Sequence, residues 1–353
     1  MFFGDLLDLS LRQCYTEIKY VEEINEMKKT KTLKIFIFSF LAAILLSLVT
    51  ITYFVLPFWV SQPAKASSIT AQKRENLLVS SANEIKILQL TDLHVNGAFD
   101  LPLVYSTIKK AINAAQPDLI VVTGDLFSRG CRESDVSDFF DFMKKFELPW
   151  ASVLGNHDDE TPYSLAALSA KLEEADYSLF QTGNLTDLYG NYDYLLQFAD
   201  GNVFHLIFMD SRIDGFTEES VAFYERVVGE KATLNGGSPL NNFLFYHIPL
   251  PEQNLAVAAY EADASIGVGK IGETPCVQSG EVNFFEKVLE WNATKAMIYG
   301  HDHVNNTIIR YRGVDFCYGT KTGPSSYEDI TRMGGNVYRL RSDGTYTAEI
   351  LTV

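Results

Sequence analysis

Five short apolar runs, each breaking into a polar cluster, set the pattern of this 353-residue chain. IKILQLT runs into Asp92-Leu93-His94, DLIVVT into Gly124-Asp125, and WASVL into Gly155-Asn156-His157-Asp158. FLFY ends at His247, and AMIY leads to Gly300-His301-Asp302-His303. Apolar runs this short, closed by glycine or polar residues, read as buried strands. The first three are each followed by helical spacing, at residues 103–115, 134–146 and 163–175. Strands alternating with helices in this way predict βαβ units, hence an α/β domain. They also put the clusters at the carboxyl ends of strands, where open α/β sheets bind ligands. The second half is richer in strand, with candidates at 203–209, 242–246, 296–299, 307–311, 314–318, 337–340 and 346–351, and helices at 218–228 and 282–291. Residues 249–280 form the longest irregular stretch and are expected to make loops over the site.

A second constraint lies upstream. Residues 35–60 read IFIFSFLAAILLSLVTITYFVLPFWV, with no charge between Lys34 and Lys65. That exceeds the roughly 20 residues needed to cross a bilayer. Tyr53, Phe58 and Trp59 suit an interfacial aromatic belt near its end. A cleaved signal peptide is the rival, because Ala64-Lys65-Ala66 has a small-x-small form and Met27 offers an alternative start. The apolar run is about twice the usual signal length and a polar tail precedes it, which favours an uncleaved signal anchor. Lys28, Lys29, Lys31 and Lys34 crowd its N-terminal flank, so residues 1–34 are expected in the cytoplasm and the rest outside or in a lumen. Secretion after cleavage is the alternative. The expected organisation is a tail (1–34), an anchor (35–60), a juxtamembrane stalk (61–83) and one domain (84–353).

Composition removes some partners. The net charge of −16 lacks the basic surface that drives nucleic-acid binding. Cys131, Cys276 and Cys317 have neither CxxC nor zinc-finger spacing, so a cysteine metal site is not expected. Sequons at Asn184, Asn292 and Asn305 suit a lumenal glycoprotein, although Asn305 lies too near the His301/His303 cluster to expect its modification.

The clusters use five of the six histidines with several Asp and one Asn. These residue types bind metals or move protons near neutral pH. Asp92 and His94 lie two apart, as do His301 and His303, so on a strand end each pair shares one side. Gly124 and Gly155 precede Asp125 and Asn156, and a glycine there permits close backbone approach. A bridging carboxylate, an amide oxygen and several imidazoles suit a pair of borderline metals such as Zn, Mn or Fe. Outside the clusters, His205 sits within the apolar run VFHLIFM and reads as a core histidine. Arg212 has the fork geometry to contact a substrate phosphate, with a structural salt bridge as the alternative. Tyr246, Pro249 and Glu252 are expected near the mouth.

TDLHVNG, TGDLFSRG, VLGNHDDE, FYHIPLPE and YGHDHVNN resemble, in order, the five blocks of calcineurin-like metallophosphoesterases across residues 87–306. The text around MDSRIDGF, FYHIPLPE and GHDHVNN is similar to the purple-acid-phosphatase-like branch of fungi and plants. Residues 1–83 carry no such resemblance. The resemblance implies two mixed β-sheets packed as a sandwich with helices outside and a di-metal site at one sheet edge. It implies one metal on Asp92, His94 and His303, a second on Asn156, His247 and His301, and Asp125 as the bridge. It further implies that His157 protonates the leaving group or donates to the phosphate, with Asp158 orienting it. The cofactors would be two divalent or trivalent ions (Mn, Zn or Fe). The activity would be hydrolysis of phosphate esters by a di-metal-activated water, on phosphomonoesters of small molecules or phosphoproteins. A phosphodiesterase for nucleotides or lipid head groups is one alternative; a non-catalytic, metal-bound membrane protein is another. One position departs from true purple acid phosphatases: the tyrosine three residues after the bridging Asp is Ser128 here, so a purple charge-transfer site is not expected.

Overall fold

In the computed structural model the described residues are 66–97, 101–185, 188–211, 214–279 and 281–353, with helical positions between 16 and 47. The chain divides into two units, Met1–Val60 and Ser61–Val353. In the first, the helix Lys28–Ser47 is long and apolar enough to cross a membrane. A signal sequence near an N-terminus also meets that requirement, so the helix is a candidate span. Residues 48–60, with Tyr53, Phe58 and Trp59, lie outside the described residues.

The second unit is built on two sheets, its strands numbered in chain order. One contains β3 (Glu84–Leu90), β4 (Leu119–Thr123), β5 (Trp150–Val153), β13 (Gly334–Arg341) and β14 (Tyr346–Thr352), in the order β14-β13-β3-β4-β5. The other contains β1 (Ile69–Gln72), β2 (Leu77–Ser80), β6 (Tyr192–Gln197), β7 (Val203–Phe208), β8 (Asn242–Phe245), β9 (Gly267–Val268), β10 (Thr294–Tyr299), β11 (Ile308–Tyr311) and β12 (Val314–Tyr318). Its order is β1-β2-β6-β7-β8-β10-β12-β11-β9. Both sheets are mixed: β3, β4 and β5 run parallel while β13 is antiparallel to β3. Likewise β7, β8, β10 and β12 run parallel, while β6 pairs antiparallel to β7 and β11 to β12. This is the architecture that the resemblance implied.

Alternation along the strands explains why they read as unbroken apolar runs. Phe243, Phe245 and Ile298 join one core cluster with Leu88, Leu90 and Val121 of the other sheet. Their neighbours Leu244, Tyr246, Met297 and Tyr299 face a second cluster with Phe284 and Val288. A strand covered on both faces has no polar side to show. Helices α1 (Leu101–Ala115), α2 (Glu133–Lys144) and α3 (Leu165–Glu174) follow β3, β4 and β5, while α4 (Glu218–Leu234), α5 (Glu252–Ala262) and α6 (Phe284–Trp291) belong to the second half. Buried Gln89 joins the sheets: its amide donates to Thr123 Oγ1 and to the Tyr299 carbonyl, both at 2.9 Å, and its oxygen accepts from Tyr338.

Two expectations need correction. Residues 69–80, read as part of a stalk, form an edge hairpin that continues onto β6, and Leu78 is fully buried. Ser68 N donates to Asp118 Oδ1 at 3.1 Å, tying the same segment to the domain. The strands are short and half-exposed, which gives them little periodicity to read. Within the stretch expected as loops, Glu252–Ala262 is helical. Pro251 stands at its N-cap, and a proline at a helix start brings the φ that the first turn needs.

His205 is a core residue, with Nε2 2.9 Å from Asp193 Oδ2, and Lys231 Nζ lies 3.3 Å from the same oxygen. Asn305 is buried, and its Oδ1 accepts from the backbone of Gly272 and Glu273, whereas Asn184 and Asn292 are exposed.

Leu78→Ala is expected to cost the domain about 2–5 kcal/mol, and a fragment starting at Glu84 should unfold at lower denaturant than one starting at Ala66. Equal midpoints would make the hairpin peripheral. Burial holds the His205 imidazole below the ordinary histidine range, against the Asp193 carboxylate, which raises it. The unfolded chain therefore takes that proton first, and stability from this residue is complete above about pH 6.5 and lost as pH falls. Between pH 7 and 5, the denaturation midpoint should fall less steeply for His205→Gln than for the wild type.

Candidate metal centre

The five polar clusters converge where the carboxyl ends of β3, β4, β5, β8 and β10 meet. Past β3 and β4 the chains stay paired, with Asp92 N bonded to Gly124 O at 3.2 Å and His94 N to Asp125 O at 3.0 Å. Asp92 (φ 52°), His94 (φ 47°), Asp125 (φ 51°) and His301 (φ 83°) all adopt the left-handed region. Non-glycine residues seldom do so, and the conformation costs about 1–2 kcal/mol each. Four such residues in one place mark a strained, functional corner of the fold. The preceding glycines are there for space. A Cβ on Gly155 would lie 2.2 Å from Asp125 Oδ1, and one on Gly300 would lie 1.9 Å from Thr91 Oγ1.

Each carboxylate has one oxygen tied down and another turned inward. Asp92 Oδ2 accepts from Thr91 Oγ1 at 2.8 Å and from His301 N at 3.1 Å, while Oδ1 shares the His301 N–H at 3.3 Å and stands 3.5 Å from His303 Nε2. Asp125 Oδ1 accepts from His157 N at 2.9 Å. Its Oδ2 lies 3.2 Å from His247 Nε2 and 3.5 Å from His94 Nε2. The ring tautomers follow. A carbonyl can only accept, so His247 Nδ1 donates to Thr123 O at 2.7 Å and His303 Nδ1 to Tyr327 O at 2.9 Å. Both rings then turn Nε2 toward the cluster, the atom that would coordinate a cation once free of its proton. His94 and His303 face each other with their Nε2 atoms 3.0 Å apart.

The donors fall into two overlapping groups. Asp92, His94, Asp125 and His303 can bring ligand atoms within 4.8 Å of one another, and so can Asp125, His247 and His301. Asp125 belongs to both. Among buried polar atoms, Asp125 Oδ2, His247 Nε2 and Asn156 Oδ1 have no hydrogen-bond partner. A buried acceptor left bare in this way costs stability unless something else meets it. Carboxylate, amide oxygen and imidazole lone pairs together fit borderline metal cations.

Charge supports the same fit. Burial opposes every charge in the cluster, yet nearby histidines hold Asp92 well below the usual carboxylate range. Burial likewise opposes charge on His247, but the Asp125 and Asp92 carboxylates raise it to about 10. His94 and His301 are instead pushed down by burial, to about 3 and about 4. The pair of carboxylates thus keeps a proton on His247 that a bound cation would displace.

The flanking residues do not all stand where expected. His157 lies at the mouth, its side chain 39% exposed and its ring centroid 5.1 Å from that of His94. Asp158 does not orient it: this buried carboxylate accepts from Phe127 N at 2.9 Å and Gly155 N at 2.8 Å. The acid beside the ring is Glu160, with Oε2 3.1 Å from His157 Nδ1. Tyr246 is fully buried against Tyr299 and lines no mouth. Arg212 lies outside the described residues. Two site neighbours escaped the sequence reading. Lys321 is 2% exposed, donates to the Asp92 carbonyl at 3.3 Å, and is pushed down to about 8 by burial. Tyr327 stacks on the His303 ring at 4.4 Å. Lys321 follows a strand end within Gly319-Thr320-Lys321-Thr322-Gly323, the same punctuation as the clusters, but its basic side chain does not suggest a cation site.

Residues 85–305 match the family model described as calcineurin-like phosphoesterase. A protein of Arabidopsis thaliana named probable inactive purple acid phosphatase 14 is 24% identical over 305 residues, covering 73% of this chain and 75% of its own length. Phosphatase DCR2 of Saccharomyces cerevisiae is 26% identical over 317 residues, covering 76% of this chain and 52% of its own. Among solved structures, a dimetal phosphatase from Danio rerio superposes with a TM-score of 0.46 at 12% identity, over 76% of this chain and 99% of that one.

Gly300→Ala should leave the protein folded but lower its content of bound divalent metal, because the new methyl group meets Thr91 and Asp92 before anything else. Elemental analysis beside circular dichroism tests this; full metal retention would show that the close approach is not needed.

Proposed function

Because the chain belongs to the calcineurin-like phosphoesterase family, we propose that it hydrolyses phosphate esters, monoesters before diesters, at a pair of bound metal ions. Asp92, His94 and His303 would hold one ion, Asn156, His247 and His301 the other, with Asp125 between them. Such ions polarise phosphoryl oxygens and make a bound water acidic enough to attack near neutral pH. The chain's own residues do the rest. Asp125 turns one bare oxygen into the cluster while the His157 backbone holds the other. His157, half-exposed at the mouth, is free to give a proton or a hydrogen bond to the ester. The observation that carries the reading is the convergence of bare ligand atoms on Asp125, Asn156 and His247.

The metals are drawn from Mn, Zn and Fe. Ser128, with no phenolate to offer, speaks against a purple iron site. The substrates are phosphorylated small molecules or phosphoproteins rather than nucleic acid, as the net charge of −16 favours. The lysines at 28, 29, 31 and 34 favour membrane attachment through the N-terminal helix with the catalytic domain on the non-cytoplasmic side. A second reading, a metal-bound protein without turnover, takes its support from the word inactive in the name of the Arabidopsis relative.

The full chain in detergent separates these readings. About two metals per chain, with nitrophenyl phosphate hydrolysis lost on chelation and restored by Mn, Zn or Fe, is the expected result. Asp125→Asn and His303→Ala should each lower the rate at least about 100-fold, since loss of an outer partner alone costs 10–100-fold. A diesterase would spare the monoester. A metal-loaded protein inert to both ester types would favour the binding reading, and a folded protein that takes up no metal would sink both.

A further inference from the structure

Three acids follow His157 directly, and the structure separates their roles. Asp158 has both oxygens engaged by backbone N–H groups and is buried. Asp159 is exposed on the short turn Asp158–Glu160. Glu160 closes that turn and folds back, with Oε2 3.1 Å from His157 Nδ1 and 2.8 Å from the Arg129 backbone nitrogen, whose N–H it accepts. Arg129 NH2 stands 3.7 Å from Glu160 Oε1, and its side chain is 89% exposed.

We propose that Glu160 is the positioning residue of His157: it fixes which ring nitrogen faces the metal cluster. This rests on the phosphoesterase reading for its catalytic consequence but not for its geometry. Nδ1 is the ring nitrogen that stands 3.1 Å from the Glu160 carboxylate, so Nε2 is the nitrogen left for a ligand at the cluster. Orientation of an imidazole by a carboxylate on its other nitrogen is a general device for setting tautomer and direction. Here the device is anchored at both ends of one loop. His157 N binds Asp125 Oδ1, while Glu160 binds the backbone four residues beyond Asp125. The ring is therefore indexed to the same segment that supplies the shared carboxylate. In turnover a doubly protonated His157 ring would give its Nε2 proton to the leaving oxygen as a water oxygen bonds to phosphorus and the P–O bond to the leaving group breaks; the leaving oxygen keeps the bonding electron pair, and the ring is left neutral with its remaining proton on Nδ1, beside Glu160.

Glu160→Gln is the informative change. The amide oxygen still accepts from Arg129 N and the size is kept, so only the carboxylate is lost. In the full chain loaded with zinc and labelled at histidine nitrogen, the His157 ring signals (assigned by their loss in His157→Ala) should show Nδ1 protonated in the wild type. In Glu160→Gln the two ring-nitrogen shifts should move. Unchanged His157 signals overturn the proposal, whether or not the protein turns over any ester. In kinetics, an alkyl phosphate, whose leaving oxygen needs a proton, should lose about 10–100-fold in kcat. Nitrophenyl phosphate should lose at least about tenfold less than that. Equal losses on both esters would mean a structural role and overturn it. If the wild type hydrolyses neither ester, the phosphoesterase reading fails, while the ring signals still decide the role of Glu160.

Discussion

Two carboxylates, Asp92 and Asp125, are buried side by side at the end of a sheet, and much of the surrounding structure follows from that placement. An ionised carboxylate out of water is expensive unless it is paired and hydrogen-bonded. Each has one oxygen satisfied locally, by Thr91 and the His301 backbone or by the His157 backbone. The other oxygen of each faces imidazoles. Buried Lys321 adds a fixed positive charge beside Asp92. The left-handed backbone at Asp92, His94, Asp125 and His301 is what aims these groups inward. A fold that served only to bury apolar surface would have no reason to hold this strain.

The sandwich divides the chemistry between its layers. Asp92, His94, Asp125 and Asn156 follow strands β3, β4 and β5 of the five-stranded sheet, whereas His247, His301 and His303 follow β8 and β10 of the other. The carboxylates and the amide thus come from one layer and most imidazoles from the opposite one. Ligand distances depend on how the sheets are registered against each other. Gln89 sets that register just beneath the site, by bonding β4 and β10 from β3. Cations held between the layers would bind them together, so metal uptake and stability of the strand ends should be linked. Activity and folding are in this sense not independent readouts for any of the seven donors.

Legibility in the sequence tracked how a residue announces itself. Strands covered on both faces read as unbroken apolar runs, and the donors stood where those runs break, with Asp125, Asn156 and His301 each directly after a glycine. Seven positions could be named this way, and the six carboxylate and imidazole donors fall into the two groups that the geometry forms. Elements with one exposed face were harder. The hairpin Ile69–Ser80 has little apolar content beyond Ile69 and Leu77-Leu78-Val79, and helix Glu252–Ala262 begins beside prolines that also punctuate loops. Side-chain partnership was not legible at all. The family resemblance implied Asp158 as the partner of His157, but its carboxylate is taken by the backbone of Gly155 and Phe127. Glu160, one 3₁₀ turn later, has the reach.

The name inactive, carried by the Arabidopsis relative, bears differently on the two halves of the site. Buried polar groups without partners weaken a fold, and apolar replacements of similar volume are often neutral or stabilising. A chain with no cation to bind would gain stability by replacing Asp125, Asn156 or His247, whose inward atoms make no hydrogen bond. Their joint presence therefore argues for metal binding through stability alone, independent of any turnover. His157 is different. It is half-exposed, its ring fills no core, and replacing it would relieve no buried, unpartnered atom. Retention of the seven donors speaks for the cations, and the state of His157 and its Glu160 partner speaks for catalysis. A binding-only protein would hold the first set under physical constraint and leave the second free to vary.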